Sequence, residues 1–207
     1  GDYTSLTQSL VDIQGATLGG ALLLELQPAY VSNVETFPLT IPALTGASAT
    51  NTLASLVFQN EGGTQNQEFK FNTPTGVGTV SLLVLTADAP LTATNNTLST
   101  VPYLSTGDAT RTALQFSAAN PVITVNAGLA ETGLNIGVPI TQHANMLTLT
   151  KAGAGMLALT SAESTFTTGV SLAAGSLMLG ANSTGSGPVT KGPLGVGTLL
   201  VGAGTTL

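Results

Sequence analysis

Short apolar pieces divided by glycine and polar residues run along the whole chain. The stretch Leu147–Gly180, LTLTKAGAGMLALTSAESTFTTGVSLAAGSLMLG, shows this most plainly. In Leu147-Thr-Leu149-Thr150 leucine and threonine alternate, which predicts a strand with Leu facing in and Thr facing out. Ser81-Leu-Leu-Val-Leu85 is continuously apolar instead, as in a strand buried on both faces. The same reasoning predicts strands at Ala21 to Leu26, Leu53 to Gln59, Glu68 to Asn72, Thr79 to Thr86, Thr112 to Phe116, Val122 to Val125 and Leu134 to Ile136. Each is bounded by Gly, Pro, Asn or Asp. Glycine and proline together supply 35 residues, so few windows can run at helical period. The exception is the first twenty residues, where Leu6, Leu10 and Ile13 fit one helical stripe.

The pattern changes character near residue 140. Before it, strands are irregularly spaced, with longer loops such as Gln59 to Gln67 and Leu98 to Thr110. After it, Leu147, Leu157, Leu172, Leu177 and Leu199 each sit in a short strand that follows a glycine or polar turn. Such repetition is expected of a solenoid, in which a unit buries its apolar face only by stacking on the next. The expected fold class is therefore all-β, a parallel β-helix or solenoid, regular in the C-terminal third. Residues 1–140 form a less regular β-rich region continuous with it, and 141–207 the repeat region.

Composition sharpens this picture. Of 207 residues 43% are hydrophobic but only 7% charged and 4% aromatic, far from the roughly one quarter charge of an ordinary domain. Hydration must come from Thr, Ser, Asn and Gln, and the 34 threonines suit strands. Disorder needs low hydrophobicity and high charge, and neither holds. The four basic residues, Lys70, Arg111, Lys151 and Lys191, are scattered, which argues against nucleic acid as a partner. There is no cysteine, hence no disulfide framework or thiolate metal site, and this is compatible with export. Ala21-Leu22-Leu23-Leu24 is cut off at once by Glu25, so no transmembrane helix is expected. Gly1-Asp2-Tyr3 carries no signal-peptide features and the chain stops in a strand-like pattern, as expected of a processed piece or one cut from something longer.

Leu149-Thr-Lys151-Ala-Gly153-Ala-Gly155-Met-Leu157-Ala-Leu159-Thr160, followed by Ser164-Thr-Phe-Thr-Thr-Gly169-Val-Ser-Leu172-Ala-Ala-Gly175-Ser-Leu177-Met-Leu179-Gly180, resembles the autotransporter-associated β-strand repeat. That repeat runs as LTKxGxGxLxL, a short Asn/Thr/Tyr/Gly segment, then TxVxxGxLxLG. Gly192-Pro-Leu-Gly195-Val-Gly197-Thr-Leu199-Leu-Val201 is similar to its usual sequel, so the resemblance covers about a third of the chain. It implies a right-handed parallel β-helix in the secreted passenger of a bacterial surface protein. Residues 161–168 lack the usual Gly-Ala-Asn and Tyr-Gly-Gly signals, and no C-terminal membrane barrel is recognisable. On this reading Gly153, Gly155, Gly169 and Gly175 are structural turns with positive φ. Leu149, Leu157, Leu159, Leu172, Leu177 and Leu179 form the inward core.

Catalytic chemistry finds little support. His143 is the one histidine, and no G-x-S-x-G elbow accompanies it, so it reads as a polar loop residue between Gln142 and Asn145. Glu61 with Glu68, or Asp88 with Asp108, are conceivable carboxylate pairs for glycoside cleavage, but the chain has six Phe, three Tyr and no Trp to stack sugars. Gly153-Ala-Gly155 and Gly195-Val-Gly197 lack the third glycine of a dinucleotide fingerprint. Glu61-Gly-Gly63-Thr64 lacks the aspartate of a calcium-binding repeat. Asn95-Asn-Thr97 and Asn182-Ser-Thr184 fit the glycosylation pattern but read as polar turns, and Gly180 to Gly187 as a flexible loop.

The expectation is a non-enzymatic extracellular or cell-surface protein, structural or adhesive, with no cofactor and no metal. Its expected partners are copies of itself, in an oligomer or filament, and surface glycans or other cells. The alternative is a polysaccharide-binding or polysaccharide-cleaving β-helix protein.

Overall fold

The structure, a computed structural model, describes residues 3–13, 35–36, 119–129, 131–142, 144 and 146–207, together with strand segments between residues 23 and 116. Among these residues it is all-β with parallel strands, apart from one short helix, α1 (Leu6–Ile13).

Helix α1 begins where Ser5 can cap it: the Gln8 amide donates to Ser5 Oγ at 3.1 Å. The Glu35 carboxylate accepts from the Leu6 and Thr7 amides, both at 2.7 Å, a negative charge at the positive end of the helix. Leu6 and Leu10 are buried, as the helical stripe predicts; the side chain of Ile13 lies outside the description.

Beyond α1 come β1 (Leu23–Glu25) and β2 (Leu39–Ile41), then β3 (Ser55–Gln59), β4 (Glu68–Phe71) and β5 (Val80–Leu85). Next are β6 (Leu91–Thr94), β7 (Tyr103–Thr106), β8 (Thr112–Phe116), β9 (Val122–Asn126), β10 (Thr132–Ile136) and β11 (Ile140–Gln142). The last five are β12 (Leu149–Ala152), β13 (Met156–Leu159), β14 (Val170–Leu172), β15 (Ser176–Leu179) and β16 (Leu199–Val201). Tyr103–Thr106 falls inside the predicted loop Leu98 to Thr110, so that expectation is corrected. Leu147 stands 62% exposed ahead of β12 rather than facing in, because the paired strand starts only at Leu149.

The strands form three sheets, ordered β1-β3-β6-β9-β12-β14-β16, β15-β13-β10-β7-β4 and β11-β8-β5-β2, and every strand pairing is parallel. From β3 to β12 each strand of the first sheet pairs with the third strand on along the chain. The sheets cross residue 140 without a break, since β11 pairs β8 and β12 pairs β9.

In-register pairing turns the sequence into ladders. Leu24, Leu56, Leu91, Ile123, Lys151, Leu172 and Val201 occupy one ladder of the first sheet. Phe69, Leu104, Ile136, Leu159 and Leu179 occupy one of the second, and Leu39, Leu83, Leu114 and Ile140 one of the third. The buried side chains come from all three sheets: Ile123, Val125, Leu134, Ile136, Phe116 and Ile140 are each at most 1% exposed. Each CH₂ so buried contributes about 0.8 kcal/mol.

Beyond β11 the third face continues without regular strands. The Thr165 amide donates to the Ile140 carbonyl at 3.2 Å, and the amides of Gly192 and Val196 donate to the carbonyls of Ser164 and Phe166 at 3.0 and 2.9 Å. Gln142 Oε1 accepts both from the Thr167 amide at 2.9 Å and from its hydroxyl at 2.6 Å. Isolated main-chain bonds and the Gln142 side chain thus take over where regular pairing stops.

Candidate functional site

Two features stand out among the described residues: the corner around Lys151, and the edge formed by β15 and β16. At the corner, Gly153, Gly169 and Gly175 have φ of 78°, 91° and 71°, the left-handed region that glycine enters at little cost. Gly155 is different. Its φ is not positive; a Cβ there would overlap the Asn126 carbonyl, so glycine is needed for close approach rather than for turning. At Gly175 both reasons act, since an added Cβ would lie 2.5 and 2.6 Å from the carbonyl oxygens of Gly153 and Gly155. The stacked corners are stitched by main-chain bonds: Gly155 N to Val125 O at 2.8 Å, Ala173 N to Lys151 O at 2.9 Å, Thr206 N to Gly175 O at 3.1 Å.

Lys151 is the side chain that sequence reasoning missed. It is 1% exposed and stands in the ladder between Ile123 and Leu172. Its Nζ donates to the carbonyls of Ala152, Gly153 and Ala174 at 2.9, 2.8 and 2.9 Å, which uses all three ammonium hydrogens. Burial lowers its pKa from 10.5 to about 8. The signal was present in the sequence: Leu149 and Lys151 share the parity that turns a side chain inward. The tendency of lysine to sit outside masks it.

The predicted core leucines Leu149, Leu157, Leu159, Leu172 and Leu177 are each at most 2% exposed. Leu179 is not: it is 39% exposed, which corrects its assignment to the core. It follows Ile136 and Leu159 in their ladder, but β15 is the last strand of that sheet: the chain at Thr206 bridges Ser176 and accepts from the Leu177 amide at 3.0 Å, and no strand pairs with Leu179. Val201 ends the Lys151 ladder in the same way at 49% exposure, and Leu200, Met178 and Leu207 are also exposed nearby in the chain. The segments 164–190 and 192–207 contain no charged residue. This edge is apolar and uncharged.

Between β15 and Gly192 the chain makes an exposed excursion, pinned by an antiparallel bridge of Thr184 to Lys191 and by a 2.7 Å ion pair of Lys191 with Glu163. Gly180 to Gly187, expected as a flexible loop, lies largely within it, and Asn182 stands exposed there. His143, Glu61, Asp88 and Asp108, and the side chain of Glu68, lie outside the described residues. Among the described residues no three His, Cys, Asp or Glu side chains gather as a metal site would require. No helix among them is long and apolar enough to cross a membrane. Comparison with protein-family models, with curated proteins and with solved structures finds no match.

Proposed function

We propose that this chain is a non-enzymatic structural protein of the bacterial cell exterior. It is a β-solenoid that coats, projects or adheres, and its subunits associate through open sheet edges. The observation that carries this reading is the set of in-register parallel ladders, in which aliphatic side chains and uncharged main-chain edges stack strand on strand across three sheets. Unpaired main-chain groups beside apolar side chains recruit further strands unless charge repels them. The solenoid itself is supported by ladder partners that recur about 20 to 35 residues on, the spacing of repeat architectures. Parallel crossovers favour the right hand. The likeness of residues 149–201 to the autotransporter-associated β-strand repeat, the absence of cysteine and the Thr, Ser and Asn cover support an extracellular setting.

Electron microscopy of the purified chain across concentrations tests this. Filaments or sheets that lengthen with concentration are expected. Separate short rods at every concentration would remove the self-association and turn attention to glycan binding by the lateral loops.

A further inference from the structure

The apolar ladders leave one thing unspecified. Side chains alternate with a period of two, so a turn that slips by two residues against its neighbour still faces leucine to leucine. Between β12 and β14 the observed partners are Leu149 with Val170 and Lys151 with Leu172. In these two strands every inward residue but Lys151 is aliphatic, so hydrophobic burial along them separates this register weakly from its two-residue slips.

We propose that Lys151 selects the register in which the turn carrying β14 and β15 stacks on the turn before it. Two of its three carbonyl partners, Ala152 and Gly153, belong to its own corner, and the third, Ala174, belongs to the corner above. The Ala174 oxygen reaches the ammonium only when β14 sits as observed. A slip of two residues moves it by about 7 Å along the strand and leaves a buried ammonium short of one acceptor, which is costly in a low-dielectric interior. A lone polar residue in an apolar seam sets register in the same way in coiled coils. The role does not depend on where the protein works or what it contacts.

The chain has no cysteine, so introduced thiols report register without background. Thr150 and Ser171 are outward partners, and Ala173 lies two residues beyond Ser171. Thr150→Cys with Ser171→Cys reads the observed register. Thr150→Cys with Ala173→Cys and Ala152→Cys with Ser171→Cys read the slips in either direction, because a disulfide spans Cα separations of only about 4.4 to 6.8 Å. With Lys151 present, oxidation is expected to trap the first pair alone. In a Lys151→Met background at least one slipped pair is expected to rise tenfold or more, while strand content and a cooperative unfolding transition persist. Trapping of the observed pair alone in Lys151→Met would overturn the proposal. So would loss of folding in Lys151→Met, since a residue that only chooses between registers leaves an aliphatic stack intact when methionine replaces it.

Discussion

Gly175 concentrates the local physics of the corner in one residue. Its positive φ and its approach to the carbonyls of Gly153 and Gly155 mean that Gly175→Ala meets both backbone strain and main-chain overlap. A loss of at least about 1 to 3 kcal/mol is expected, read by chemical denaturation; an unchanged midpoint would refute the corner geometry. Leu159→Asp, which sets a carboxylate at a position 2% exposed, is expected to lose on the order of 4 kcal/mol. Lys151 makes a pH prediction. The unfolded chain holds that proton up to about 10.5 and the folded chain releases it near 8. Between these values the unfolded state therefore binds more protons, and stability rises with pH. The rise is on the order of 3 kcal/mol, and Lys151→Met should lack it in parallel titrations of unfolding free energy. Residue types were legible in part. The inward parity of Leu149, Leu157 and Leu172 follows from alternation, whereas the exposure of Leu179 depends on a ladder ending above it, which no local pattern records.

The longer elements were readable, as were short ones marked by an apolar run or a preceding glycine turn, such as Leu23–Glu25 and Val170–Leu172. Ser55–Gln59, Val80–Leu85 and Thr112–Phe116 carry enough apolar residues between breakers to announce themselves. Leu39–Ile41, Leu91–Thr94, Tyr103–Thr106 and Ile140–Gln142 did not, because three or four residues hold barely one period and their extension is imposed by partners in the ladder. Tyr-Leu-Ser-Thr at 103–106 reads as loop alone and as strand only beside Glu68–Phe71. The excursion after β15 is the opposite case, an element tied by few bonds. Its Lys191–Glu163 pair has side chains 37% and 32% exposed. Lys191→Met is thus expected to cost less than about 1 kcal/mol, and its measurable effect should be faster amide exchange at Thr184 and Thr190.

At the scale of the whole molecule, the proposed self-association makes the uncharged edge the surface to test. Leu179→Glu together with Val201→Lys places charges where side chains are already 39% and 49% exposed. The isolated chain should change by no more than about 0.5 kcal/mol per site, while concentration-dependent growth is lost in light scattering. Growth that persists would move the association to another surface. Parallel stacking was expected from the glycine-punctuated repeat after residue 140, and continuity with residues 1–140 was expected too. The division into three sheets was not, because the earlier connections vary in length and so blur the period that the ladders restore.

That in-register stacking has a metric consequence. Neighbouring strands in a sheet lie about 4.8 Å apart, so each added turn extends the stack by a fixed step regardless of how much sequence its connections contain. Length along the ladders is therefore counted in whole units, like marks on a ruler. On the proposed solenoid reading, a gene that duplicates one unit gains one step of reach, whatever the length of the loops between the strands.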